Sequence, residues 1–237
     1  MYQSSLKQVK LNMKVSDLVI ENPRLLLMLE HLELNLIWND KTILKVCQES
    51  GIRPELFIAI ANLYRGFNVI GIDSFKTEDI TVIVKLLKNS HKYYKHEKYP
   101  EILEYLKQLN KSNNTRETEM LESFFIEYFD EVIEHLDYEE NVAFPYICRL
   151  LNSQSSNSQI VDFSVDDYSQ HHSDIESKLA DLKNLLLIHL QAKSNGNLKR
   201  KLLFSLFELE NDLKVHSLIE ENILVPLMLD LERDGNG

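Results

Sequence analysis

His135-Leu-Asp-Tyr-Glu139-Glu140-Asn141-Val-Ala-Phe-Pro145 returns further along the chain as His216-Ser-Leu-Ile-Glu220-Glu221-Asn222-Ile-Leu-Val-Pro226. In each copy the His and the first Glu stand four residues apart, which on a helix places them about 40° apart on one face, one turn above the other. A single such pair on a helix surface contributes only a few tenths of a kcal/mol. These two pairs lie on apolar stripes instead. Leu206, Leu209 and Leu213 precede His216 at helical spacing and Ile219, Ile223 and Leu227 follow it, while Phe125, Tyr128 and Val132 precede His135 and Val142 follows it. A charged pair turned towards a core needs a partner, because an unpaired buried charge costs several kcal/mol. A metal ion bound by both residues meets that need.

The rest of the composition narrows the classes open to the chain. Its 237 residues contain six Gly and five Pro, with Leu, Lys, Glu and Ile abundant, a mixture that favours helices. A net charge of −11 without a long basic run excludes a nucleic-acid footprint. Cys47 and Cys148 form no CxxC pair, as expected in a reducing compartment. Met1 to Lys10 is polar and leads into no apolar signal core, and no apolar run approaches the roughly 20 residues of a membrane span. The expectation is a soluble, cytoplasmic protein with neither nucleic-acid nor membrane partners.

Turn chemistry divides the chain. Val15 to Val19 opens a helix, Asn22-Pro23 punctuates it, Leu25 to Leu34 is heavily apolar, and Gly51-Ile-Arg-Pro54-Glu55 starts another helix. His31, Trp38 and Cys47 in this part read as packed core residues. Gly66 to Asp73, with two glycines close together, sets a boundary near residue 72 between a small helical domain (1–72) and a larger one (73–237). In the larger part, helices are expected from Thr77 to about Asn110, Thr115 to Leu151, a capping box at Ser164-Val-Asp-Asp167 to about Ser194, and Leu198 to Arg233. Pro100 should kink or restart the first, Pro145 interrupts the second, Asn110 to Asn114 is a turn, and Asn152 to Ser158 is a loop. Four long helices joined by short connections make an all-α, antiparallel up-and-down four-helix bundle.

Such a bundle imposes a test, since ligands on different helices meet only at one height. His91 shares a face with Val84, Leu87 and Tyr94, and His172 one with Ile175, Leu179, Leu182 and Leu186. Counted from the turns, His91 lies about 21 residues out, His135/Glu139 about 25, and His172 and His216/Glu220 about 23 each, heights that agree within about 6 Å. His96 misses by about 14 Å on the same scale. The candidate metal ligands are therefore His91, His135, Glu139, His172, His216 and Glu220. Six such donors exceed one tetrahedral zinc and suit two six-coordinate ions bridged by the carboxylates, with imidazole supporting iron in both oxidation states. Two iron ions joined by an oxo or hydroxo bridge would leave positions for an outside ligand such as O₂ or NO.

The order His, His-x-x-x-Glu, His, His-x-x-x-Glu, with Pro six residues after each Glu, resembles the hemerythrin-like cation-binding domain. More narrowly it resembles the iron-sulfur cluster repair di-iron proteins, the repair of iron centres family, over about residues 75 to 233. Oxygen-carrying hemerythrins have a second His four residues after the helix-three ligand, where this chain has Glu176. They also have an Asp five residues after the helix-four His, where it has Glu221. Glu221 is the alternative second bridge and Glu140 its counterpart in the first copy. Val15 to Pro23 and Lys41 to Cys47 are similar to the small domain that precedes the bundle in the repair family, but Ile37-Trp38 occupies the place of that family's adjacent Cys pair. Docking or homodimerisation is then the expected role of the small domain. The resemblance implies iron-sulfur repair under oxidative or nitrosative stress, with damaged iron-sulfur proteins as partners. A module that senses or stores O₂ or NO, and a di-iron oxidoreductase acting on NO or peroxide, are the competing readings.

Overall fold

Asn22-Pro23 separates two short helices, α1 (Val15–Glu21) and α2 (Leu25–His31), in the computed structural model of the chain. The structure describes residues 7–35, 37, 40–68, 74–152, 175, 177–189 and 196–235. Thr42 caps α3 (Ile43–Ser50) by accepting from the Lys45 N–H, and Gly51 closes it at φ 74°, a left-handed conformation that glycine adopts without steric cost. Pro54 then begins α4 (Pro54–Tyr64) at a position where its missing N–H costs nothing. The described residues contain no strand, only an isolated antiparallel bridge between Lys14 and Thr42.

The chain groups into two compact units: Met1–Asn89 with Cys148–Ser156 and Val215–Gly237, and Ser90–Ile147 with Asn157–Lys214. In the first, Leu18, Leu25, Met28, Leu29, Ile43, Leu56, Phe57 and Ile60 are buried. His31 is 1% exposed, as expected of a packed residue, and its carbonyl accepts from the Asn89 side chain at 2.9 Å. Arg53 pairs at 2.6 Å with the buried Asp79, which also accepts from the Lys76 N–H.

The longer helices each carry a π-turn just before their prolines. α5 (Asp79–Tyr93) ends in a π-turn, Tyr94–Lys98, and α6 (Tyr99–Asn113) begins beyond it with Pro100 in its first turn, the restart that the sequence suggested. Proline cannot donate to the carbonyl four residues back and its ring crowds that carbonyl. Widening the turn before it, with the Tyr99 N–H donating to Tyr94 O, relieves both problems. The expected turn at 110–114 is shorter than its sequence suggested. The helix runs to Asn113, and Asn114 alone takes the left-handed conformation at φ 48° that asparagine tolerates. Thr115 and Thr118 form a reciprocal capping box for α7 (Arg116–Tyr138). A π-turn, Glu139–Ala143, leads into α8 (Phe144–Asn152). α9 covers residues 177–184 and ends in the π-turn Leu185–His189. α10 (Gly196–Ile219), the π-turn Glu220–Leu224 and α11 (Val225–Gly235) complete the chain.

Side chains of the second unit pack around Tyr99, Phe125, Tyr128 and Phe129, whose rings lie 4.3 to 6.2 Å apart about Tyr99. Asn110 joins the end of α6 to Thr118 and Glu122 of α7. On the side facing α10, Tyr94 donates to the buried Asp212 at 2.7 Å, Ser205 donates to Glu101, and Lys98 bonds both Glu101 and Glu208. Lys178 and Lys183 of α9 pair with Glu131 and Glu210. The boundary near residue 72, Trp38, the loop at 153–158, the capping box at 164–167, His172 and Glu176 lie outside the described residues.

Candidate metal centre

On α7 the buried residues Leu121, Phe125, Tyr128, Val132 and Leu136 recur every three or four positions, a stripe that carries His135 and Glu139 to the inside. Glu139 is fully buried. Its two carboxylate oxygens each face an imidazole: Oε1 lies 2.8 Å from His135 Nε2 on its own helix, and Oε2 lies 2.9 Å from His91 Nε2 on α5. His91 is also fully buried, with its ring stacked on Phe144 at 5.6 Å. His96, in the π-turn after α5, is exposed. The choice between the two histidines in the sequence thus coincides with a sharp difference in burial.

The neighbouring glutamate has a place that sequence reasoning missed. Glu140, weighed only as an alternative bridge, lies with Oε1 2.9 Å from His91 Nδ1, on the opposite edge of the ring from Glu139. Lys95 reaches the same oxygen at 3.1 Å and Asp137 at 2.8 Å. The hydrogen bond from His91, followed by those from Lys95, pulls the Glu140 carboxyl down to about 2, against burial. This carboxylate is therefore ionised across the neutral range, and its contribution is lost only as pH falls from the ordinary carboxylate value towards about 2. Burial opposes the charge on Lys95, but its bonds to Asp137 and Glu140 outweigh that and hold its pKa above the ordinary value. The available signal was Lys95, one turn after His91 and opposite in charge to Glu140.

In the second copy, His216 Nε2 lies 3.4 Å from Glu220 Oε1, with Glu220 fully buried. Glu221, the counterpart of Glu140, is exposed. The two copies share more than their His and Glu. Each buried glutamate is the first residue of a π-turn and its carbonyl accepts from the N–H five residues on, in Phe144 and Val225. The shared Asn sends its side-chain amide to the carbonyl four residues back, Asn141 to Asp137 and Asn222 to Leu218. The shared Pro follows directly after the residue that closes the turn. Asn and Pro thus belong to the backbone device, and His and Glu to the candidate ligands.

The donor set fits a metal. Two donors, each about 2.1 Å from one ion and at right angles to each other, are about 3 Å apart, close to the separations around Glu139. Imidazole nitrogen with carboxylate oxygen is a set that iron, manganese and zinc accept. His91 and Glu139 make a fully buried His/Glu pair able to contribute to holding a metal ion. Residues 82–228 match the model of the hemerythrin HHE cation binding domain, more than half of the chain. The chain belongs to this family. No curated relative matches it. As a hemerythrin-family protein it is a cation binder, for which iron is the typical metal. No helix among the described residues is long and apolar enough to cross a membrane.

Proposed function

We propose that the chain is a non-haem di-iron protein of the iron-sulfur cluster repair type, acting in the cytoplasm in response to oxidative or nitrosative stress. The observation that carries the metal reading is the burial of both glutamates of the repeat, each beside the imidazole one turn before it. In this reading His91, His135, Glu139, His172, His216 and Glu220 would hold two iron ions. Residues 73–237 form the up-and-down four-helix bundle and residues 1–72 a small helical docking domain. The repair role is supported by the sequence resemblance.

Bound iron would supply electron transfer and open positions for O₂ or NO. The protein's own part is to hold Glu139 and Glu220 in a dry interior beside the imidazoles one turn away and to exclude bulk water. Buried Phe144, Ile147, Ile223 and Leu224, close in sequence to the glutamates, supply apolar surroundings.

Purified protein should contain about two irons per chain, the number that six nitrogen and oxygen donors suit, and its absorption should change on exposure to NO or O₂. Less than one metal in the wild type, unchanged in His135→Ala and Glu220→Ala, would sink the di-iron reading. Recovery of a damaged iron-sulfur enzyme in a deletion strain, lost in His216→Ala, is the result expected of a repair protein. A stable, reversible O₂ adduct without such recovery would replace repair with carriage or sensing.

A further inference from the structure

Successive residues Glu139 and Glu140 take opposite nitrogens of one ring. Nε2 of His91 faces the buried Glu139 at 2.9 Å, and Nδ1 faces Glu140 at 2.9 Å. The ring can serve a metal through Nε2 only if Nε2 carries a lone pair, which in neutral imidazole requires the proton to be on Nδ1. An anionic acceptor at Nδ1 selects that tautomer, fixes the ring's rotation and raises the electron density at the other nitrogen. Glu140 itself is held: Lys95 bonds the oxygen that His91 bonds, and is bonded in turn to Asp137. Phe144 closes one face of the ring.

We infer that Glu140, held by Lys95, is a positioning residue for the metal centre, orienting His91 rather than ligating the metal. The inference rests on the proposed function in one respect, that His91 is a metal ligand. Two observations separate it from the alternative in which Glu140 is a bridge. Its side chain is 34% exposed whereas that of Glu139 is 0% exposed, and its bonded oxygen is already shared by an imidazole N–H and an ammonium group. Among the described residues the second copy shows no matching arrangement, and Glu221 is exposed. Glu221 therefore supplies an internal control for the adjacent-glutamate position.

The test uses the full chain loaded with Co(II). Affinity is measured by competition with a chromophoric chelator, and solvent-exchangeable imidazole N–H signals are read by paramagnetic NMR. Glu140→Ala should weaken binding by about 10–100-fold, the usual effect of losing such an outer partner, and should lose one exchangeable signal to fast exchange. Glu140→Gln, which keeps an acceptor oxygen but no charge, should fall between Ala and wild type and retain the signal. Lys95→Met should shift affinity in the same direction by less, and Glu221→Ala should leave both readouts unchanged. Circular dichroism of the metal-free proteins checks folding, and if Glu140→Ala fails to fold, Glu140→Gln and Lys95→Met decide the matter. Wild-type affinity and signals in these variants would overturn the inference while leaving the di-iron reading intact. So would loss of one whole ion in Glu140→Gln with every N–H signal kept, which would make Glu140 a ligand. Failure of the wild type to bind metal at all would sink both.

Discussion

Cys47, read from the sequence as a packed core residue, is buried in the structure, and its burial sets its reactivity. Its thiol is 3% exposed, and burial, reinforced by the charge of Glu55, pushes its pKa up to about 11. Since the thiolate is the reactive form, Cys47 should be inert at pH 8 in the folded protein. Brief alkylation followed by peptide mass spectrometry should find it unmodified until denaturant is added; rapid labelling in native buffer would contradict the buried placement. Glu139 and Glu140 differ in the same way, being identical in chemistry and adjacent in the chain. One is enclosed between two imidazoles, and the other reaches the rim of the same ring from outside.

At the scale of the element, the eleven-residue phrase is a helix segment that carries its own irregularity. The π-turns at Glu139 and Glu220 come where a proline two positions beyond the turn would otherwise strike the carbonyl of the shared Asn. π-Turns inside α-helices are frequent at functional sites, and here each begins on a buried glutamate. Pro145→Ala removes the reason for the wide turn. Since proline costs about 3 kcal/mol relative to alanine in a regular helix interior, and the π-turn already relieves part of that, the metal-free variant should gain about 1 kcal/mol in denaturant unfolding. Metal affinity should fall in the same variant, because tightening to α-geometry turns Glu139 away from His91. A variant that gains stability with unchanged affinity would show that the wide turn does not serve the ligand.

For the whole molecule, buried carboxylates and imidazoles constrain stability as well as function. A ligand that binds only the folded chain stabilises it by about 2.7 kcal/mol at a hundred times its dissociation constant, which for a chain of this size raises Tm by about 5–10 °C. Removing metal with a chelator should reverse that shift, and the shift should be absent in His135→Ala. An equal Tm with and without metal would mean that the bound ion does not hold the buried residues in place. The apolar stripes that frame the candidate ligands are periodic, and this is why so much of the site was legible beforehand. Val84, Leu87, His91 and Tyr94 share a helix face by spacing alone, and all four are buried. The wide turn before Pro100 and the helix continuing to Asn113 were not legible. Both depend on how a backbone absorbs a local conflict, and proline or asparagine permits more than one answer.

The sequence by itself determined an all-helical chain and two inward His-Glu pairs, because helix periodicity depends only on spacing and apolar character. It favoured the first glutamate of each copy by its spacing from the His but could not say what the second would meet. Glu139 and Glu140 leave their helix about 100° apart, and what each meets depends on where α5 lies against α7, a relation between residues some fifty positions apart in the chain. Packing decided it by placing the His91 ring between them, so that one glutamate faces the nitrogen available to a metal and the other holds the opposite nitrogen.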